Sequence, residues 1–204
     1  MFRSILVLES PWDSASVKST SVWPFVSEFA KVRGIDAFYQ TFSNAEAFKH
    51  WIACYNKEKL SGRKMLYVAA HGTEGRISGL KRSMNATSIE QVLAKAKNIS
   101  HVHFGSCLYG TERNLQSLLL KAKHLKSAAG YEKPVEWVDS MLLDIMLWGR
   151  VVGRDDSNKN IKTHTLIRNL LKEIPGLSQG LGFHFRYRYG KQIIQLRNVV
   201  HKKF

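Results

Sequence analysis

The feature that most constrains this chain is a regular alternation of short apolar runs with stretches of helical period. Ser4 to Leu8, Ile35 to Phe42, Lys64 to Ala70, Ser100 to Ser106 and Ser127 to Tyr131 are short and apolar enough to be buried strands. Amphipathic segments separate them. Val22 to Val32 sets Trp23, Val26, Phe29 and Ala30 on one face, with Gly34 as its stop. Ser43 or Asn44 can cap a helix that runs to Lys59 with Ala47, Phe48, Trp51, Ile52 and Tyr55 inward. A third helix begins at Thr87 or Ser88 and turns Ile89, Val92, Leu93 and Ala96 inward; a fourth, capped by Thr111, buries Leu115, Leu118 and Leu119. Strand and helix in this order predict an α/β fold whose mainly parallel sheet is covered by helices on both faces. Its crossovers should be right-handed, and its ligands should bind at the carboxyl ends of the strands.

The last third departs from this rhythm. Val135 to Trp148 and Lys162 to Glu173 read as helices, joined by the polar stretch Gly153 to Lys159. Phe183 to Tyr189 then alternates aromatic with basic residues, Gly190-Lys191 turns it, and Gln192 to Val200 returns. That pattern predicts a C-terminal β-hairpin near a sheet edge. No repeat, low-complexity tract or linker interrupts the chain, so residues 1–204 are expected to form a single domain that includes the hairpin of residues 180–204.

Composition narrows the class. At 44% hydrophobic and 23% charged residues the chain is globular rather than disordered. No apolar run reaches the length of a membrane span. Glu9 and Asp13 follow the first apolar run with no small-residue cleavage site, so the N-terminus reads as a core strand of a cytoplasmic protein. The two cysteines, Cys54 and Cys107, cannot form a disulfide framework. The net charge of +15 favours an acidic partner, and residues 180–204 carry six Lys or Arg and no Asp or Glu.

Two strands end on reactive side chains. Leu66-Tyr67-Val68-Ala69-Ala70 delivers His71-Gly72, and Val102-His103-Phe104-Gly105 delivers Ser106-Cys107. If both strands are parallel, His71 and Cys107 share one rim. A thiolate there is a nucleophile that needs a nearby base, which His71 can supply. The positive end of the helix beginning near Thr111 would favour an anion at that turn. Glycine after the base lets backbone approach a ligand closely, and the N–H groups of Gly72 and Cys107 could form an oxyanion hole. The plainer readings are a buried thiol and a strand-end histidine. His101 and His103 alternate on the strand leading to Cys107 and so face one side, but further ligands at metal-binding spacing are lacking, and no metal is expected. Cys54 reads as packing within its helix. Gly-x-Gly-x-x-Gly after the first strand and a Walker-type Gly-Lys-Ser/Thr are both absent, so no nucleotide cofactor is expected.

These motifs resemble the caspase-fold cysteine peptidases of clan CD, and most closely the bacterial CHAT type. Val68-Ala69-Ala70-His71-Gly72 resembles the histidine motif of that type, and Phe104-Gly105-Ser106-Cys107 its cysteine motif. Ser127-Ala128-Ala129-Gly130-Tyr131, followed by Val135-Glu136-Trp137-Val138-Asp139, resembles its later segment that shapes the substrate pocket. The similarity covers roughly residues 1–150 and implies a caspase-like three-layer sandwich. It also implies peptide-bond hydrolysis, in which Cys107 attacks the carbonyl and His71 polarises or protonates the leaving amine. Asp139, then Asp13, are the acidic candidates for a pocket selecting Lys or Arg, with Trp137 beside them. Leu108-Tyr109-Gly110 replaces the caspase signature after the cysteine, so aspartate specificity does not carry over. The interval from histidine to cysteine is shorter than in caspases. Bacterial relatives often serve in antiviral defence.

Two other classes compete. The basic charge and the interleaved Phe183 to Tyr189 also fit a nucleic-acid-binding module, with aromatics stacking on bases. The plainer account of that segment is an amphipathic strand with Phe183, Phe185, Tyr187 and Tyr189 on one face and His184, Arg186 and Arg188 on the other. A catalytically inactive peptidase fold that binds a partner is the third reading. The expected partner is a protein substrate or an acidic regulatory protein, with nucleic acid second.

Overall fold

The computed structural model describes residues 2–12, 20–152 and 162–196. A seven-stranded sheet runs through the molecule in the order β10-β9-β8-β7-β3-β1-β2. Its parallel part comprises β1 (Phe2–Glu9), β2 (Asp36–Thr41), β3 (Arg63–Ala69), β7 (Ile99–Phe104) and β8 (Ser127–Tyr131). The hairpin β9 (Phe183–Tyr189) and β10 (Gln192–Leu196) joins β8 antiparallel and forms one edge. Residues 197–204, the rest of the basic terminal stretch, lie outside the described residues, as does the polar segment Gly153 to Lys159.

Strand β1 has β2 on one side and β3 on the other. The chain therefore reverses its direction of travel across the sheet at β1, and such a switch point leaves a crevice at the carboxyl ends of the strands.

Alternation along each strand feeds two cores. Ile5, Val7, Met65, Tyr67, Ala69, Ala129 and Tyr131 point to one face. There α1 (Trp23–Arg33), α5 (Trp137–Val151), α6 (Thr163–Glu173) and α7 (Pro175–Gly180) cover them with Val26, Leu143, Leu147, Trp148, Ile167 and Leu170. Leu6, Leu8, Leu66, Val68, Val102 and Phe104 point the other way. There α2 (Ala45–Lys57), α3 (Ala86–Lys95) and α4 (Glu112–Lys121) bring Phe48, Ile52, Ile89, Leu93, Leu115 and Leu118. Burying a Leu or Ile side chain in such a core contributes about 1.5–3 kcal/mol, which is why strands apolar on both faces specify three layers.

Local chemistry sets the helix ends. Asn44 caps α2 by accepting from Ala47 N, and Thr111 caps α4 by accepting from Asn114 N. Asn85, rather than Thr87 or Ser88, caps α3, accepting from Ser88 N. Glu136 caps α5 by accepting from Val138 N and Asp139 N, so that helix begins at Trp137 and not at Val135. The short α7 after Pro175 was not expected from the sequence pattern. Gly72 to Gly79, whose glycines predict a loop or a small hairpin, holds a hairpin that a third strand extends. Here β4 (Gly72–Thr73), β5 (Arg76–Ser78) and β6 (Ser83–Asn85) form a small antiparallel sheet, with Gly75 supplying the positive φ at the first turn.

Candidate active site at the carboxyl rim

Three parallel strands deliver the candidate groups to one rim. Trp12 follows β1, His71 follows β3, and Cys107 follows β7. The segments after β3 and β7 touch directly at Gly72. A Cβ on that residue would collide with the carbonyl oxygen of Cys107 and crowd Ser106 Cβ at 3.0 Å. Only glycine allows the two backbones this close. Below them, Gly105 clears room for Tyr67, whose phenol occupies the space a Cβ would need.

The turn carrying Cys107 is tight. Tyr109 N donates to Cys107 O at 2.7 Å, and Leu108 between them adopts φ 60. It is the one non-glycine residue with positive φ among the described residues. Such a conformation in a branched residue costs on the order of 1–3 kcal/mol and persists only where its surroundings enforce it. Here Leu108 N reaches Lys133 O at 3.3 Å and Gly110 N reaches Tyr131 O at 2.8 Å, tying the turn to the chain after β8. Cys107 is half-buried, and its Sγ accepts from Val135 N at 3.4 Å.

His71 is exposed, and its Nε2 lies 2.7 Å from the carbonyl oxygen of Trp12. A carbonyl can only accept, so Nε2 carries the proton and Nδ1 remains free for chemistry. The Trp12 indole meets the imidazole edge-on, with ring centres 5.1 Å apart. Ser78 N donates to His71 O, so Gly72 occupies the neighbouring position of the β4–β5 ladder, where paired residues exchange no hydrogen bonds. Its N–H is therefore not consumed by β5.

Beneath the rim lie two buried carboxylates that the sequence reading did not single out. Glu9, at the end of β1, accepts from Trp12 Nε1 at 2.8 Å, Ser21 Oγ at 2.6 Å, Val22 N at 3.0 Å and Tyr39 Oη at 2.9 Å. Asp144, on α5, accepts from Tyr67 Oη at 2.7 Å and from Tyr131 Oη. Burial, reinforced by Asp144, holds both of those phenols well above the ordinary tyrosine range, so they stay protonated donors. His103 Nε2 faces Asp144 Oδ1 at 2.9 Å, while its Nδ1 accepts from Trp148 Nε1 at 3.1 Å. Both carboxylates had a signal in the sequence: a lone acid ending an apolar strand, and a lone acid within Met141-Leu142-Leu143-Asp144-Ile145-Met146-Leu147-Trp148.

His101 and His103 face the same core, as their alternation predicts, with ring centres 6.2 Å apart. Burial, with His103 beside it, pushes the His101 imidazole down to about 3. Among the described residues no group of three His, Cys, Asp or Glu side chains is arranged to hold a metal ion. Nor is any helix among them long and apolar enough to cross a membrane.

The pocket candidates are more scattered. Asp139 sits exposed in the first turn of α5, its backbone N–H capped by Glu136. Trp137 packs edge-on against Phe25 of α1, with ring centres 5.3 Å apart. Asp13 lies outside the described residues. Cys54 pairs with its own helix, Sγ lying 3.6 Å from His50 Nε2.

The sheet order and the two helical layers define a caspase-like α/β fold. Among solved structures, the chain is similar to a secreted C11 cysteine protease from Bacteroides thetaiotaomicron, solved with an irreversible peptide inhibitor. The TM-score is 0.54 at 9% identity over 92% of this chain and 66% of that one. It is also similar to caspase-1 from Spodoptera frugiperda, with a TM-score of 0.54 at 12% identity over 84% of this chain and 77% of that one. This chain thus spans just under two thirds of the length of the C11 protease. No family model and no curated protein matches the sequence. The likeness is one of fold, shared with cysteine proteases, at identities too low to carry a substrate.

Proposed function

We propose that the protein is a cysteine endopeptidase that hydrolyses peptide bonds of a protein substrate. The observation that carries this reading is the close approach of Gly72 to the Cys107 carbonyl, because it brings together the backbone segments that bear the His71 imidazole and the Cys107 thiol at the carboxyl rim. Cys107 gives its thiol proton to His71 Nδ1, and its Sγ attacks the substrate carbonyl and forms a C–S bond while the carbonyl oxygen takes up the negative charge. The N–H groups of Gly72 and Cys107 stabilise that oxyanion. The C–N bond then breaks, and the amine leaves with a proton delivered from His71 Nδ1. Water attacks the thioester, releases the acid and restores the thiol. The Trp12 carbonyl orients His71 for this exchange through Nε2–H.

Asp139, Asp13 and Trp137 remain the proposed pocket residues, selecting a basic side chain in the substrate. A CHAT-type role in bacterial antiviral defence, in the cytoplasm, is the setting we infer from the motif resemblance. The charge of +15 suits an acidic substrate or regulatory partner.

The nucleic-acid reading loses its main support in the hairpin. Phe183, Phe185 and Tyr187 are buried, and Tyr189 alone of that strand's four aromatics is exposed. Arg186 is buried against Glu112 and Gln116, and Arg188 bonds the carbonyls of Leu119 and Leu125. The segment is a packed amphipathic strand, not a stacking platform.

The test is cleavage of a casein or peptide-library substrate by wild type, Cys107→Ala and His71→Ala. The expected result is cleavage by wild type alone, with a loss of at least about 1,000-fold in each variant. Equal activity in wild type and Cys107→Ala overturns the assignment.

A further inference from the structure

We propose that Glu9 is a positioning residue for His71, acting through Trp12. This inference rests on the peptidase reading for its catalytic meaning, while its physical content does not. Glu9 is only 2% exposed, and its carboxylate receives four donors from three separate places in the chain. One donor is the indole of Trp12, which follows β1. Two come from Ser21 and Val22, immediately before α1. The fourth is Tyr39, on β2. Both oxygens are used twice: Oε1 by Trp12 Nε1 and Val22 N, and Oε2 by Ser21 Oγ and Tyr39 Oη. The backbone of Glu9 is fixed as well, since Phe42 N donates to its carbonyl at 3.0 Å and the following Ser10 N donates to Ala69 O at 2.9 Å.

Trp12 is the useful end of this clamp. Its indole is held by Glu9, its ring meets the His71 imidazole, and its carbonyl accepts His71 Nε2–H. Apart from these contacts, nothing among the described residues fixes the exposed imidazole through its ring nitrogens. Which nitrogen of His71 is protonated, and where Nδ1 points, therefore depends on where Trp12 is held. A buried carboxylate is costly to keep unless it is fully bonded; three of its bonds anchor it to the start of α1 and to β2, and the fourth holds the residue whose carbonyl accepts from the histidine.

Glu9→Gln tests the clamp with almost no change in volume. An amide nitrogen replaces one oxygen and meets two donors instead of offering them lone pairs. Trp12→Phe is the second variant; it removes the indole N–H and keeps the backbone carbonyl. Two readouts apply. The ring nitrogen NMR spectrum of His71, assigned by difference from His71→Gln, should show Nε2–H as the dominant tautomer in the wild type. In both variants it should become a mixture of tautomers. On a peptide substrate, kcat should fall by up to about 100-fold with KM within about twofold, as expected when a catalytic group is misplaced rather than removed. An unchanged His71 spectrum in a folded variant overturns the proposal, and so does a fall in kcat without a change of tautomer. Should Glu9→Gln fail to fold, Trp12→Phe decides. A changed spectrum in a protein whose wild type cleaves nothing would leave the clamp standing and remove the peptidase reading.

Discussion

At the scale of single residues, the rim depends on atoms that are missing. Gly72 has no Cβ because the Cys107 carbonyl fills that place, and Gly105 has none because Tyr67 does. Replacing Gly72 with alanine must push the His71 and Cys107 segments apart or tilt one of them. We expect Gly72→Ala to lower peptide cleavage by about 100-fold or more, the scale of losing one oxyanion donor. Far-ultraviolet circular dichroism should stay close to wild type, because β3 and β7 are held by their own cores. Activity within twofold of wild type would show that the close approach does not matter. The sequence made the positions of His71, Gly72 and Cys107 after strand ends legible, since each follows an apolar run. It concealed the Leu108 turn, because positive φ in a leucine has no sequence signature, and it concealed the acceptor of His71, because a backbone carbonyl belongs to every residue type. Glu9 and Asp144 were visible as isolated acids in apolar runs, but their partners are distant in sequence.

At the scale of elements, strand β7 does two jobs. Its carboxyl end leads to Cys107, and its middle sets His101 and His103 into the core shared with α5. His101 Nδ1 lies 2.8 Å from Ser127 Oγ, and its ring stacks on Phe185. Its folded value of about 3 lies below the ordinary 6.5. Between those values the unfolded chain binds a proton that the folded one does not. Stability from this site is therefore complete above pH 6.5 and declines as the pH falls toward 3, by up to about 1.4 kcal/mol per pH unit. Urea denaturation from pH 7 to pH 4 should show that decline, and His101→Phe should flatten it. His124 and His164, lowered chiefly by burial, leave a slope of the same sign in that variant. A variant with the wild-type slope would contradict the account. Strands and long helices were legible from period alone. Short pieces were less so: α7 is too brief to show a period, the glycines of residues 72–79 announced a loop or small hairpin but not the third strand β6, and Glu136 was hidden because the apolar Val135 precedes the cap.

At the scale of the whole molecule, topology makes the site. The order β2-β1-β3-β7 turns the chain back at β1 and brings Trp12, His71 and Cys107 to the carboxyl ends of three adjacent parallel strands, although 95 positions (107 − 12) separate the first from the last. Parallel pairing was inferable from strands apolar on both faces. The outward step to β2 before the return to β3 was not, because nothing in local pattern fixes which side a strand joins. The basic surplus belongs to this scale too. Parts of it are spent inside the fold, on Glu112 and on helix-end carbonyls, and so do not describe a binding surface. The central claim, that the rim makes Cys107 a nucleophile toward peptide carbonyls, is tested most directly by intact-protein mass spectrometry. The folded protein is treated with peptidyl acyloxymethyl ketones bearing basic, acidic or apolar side chains next to the reactive group, and the modified cysteine is mapped. The account predicts a single adduct on Cys107, fastest with the basic probe, absent from Cys107→Ala and lost on unfolding. Slow labelling of Cys54 and Cys107 at equal rates, unchanged by unfolding, would contradict it.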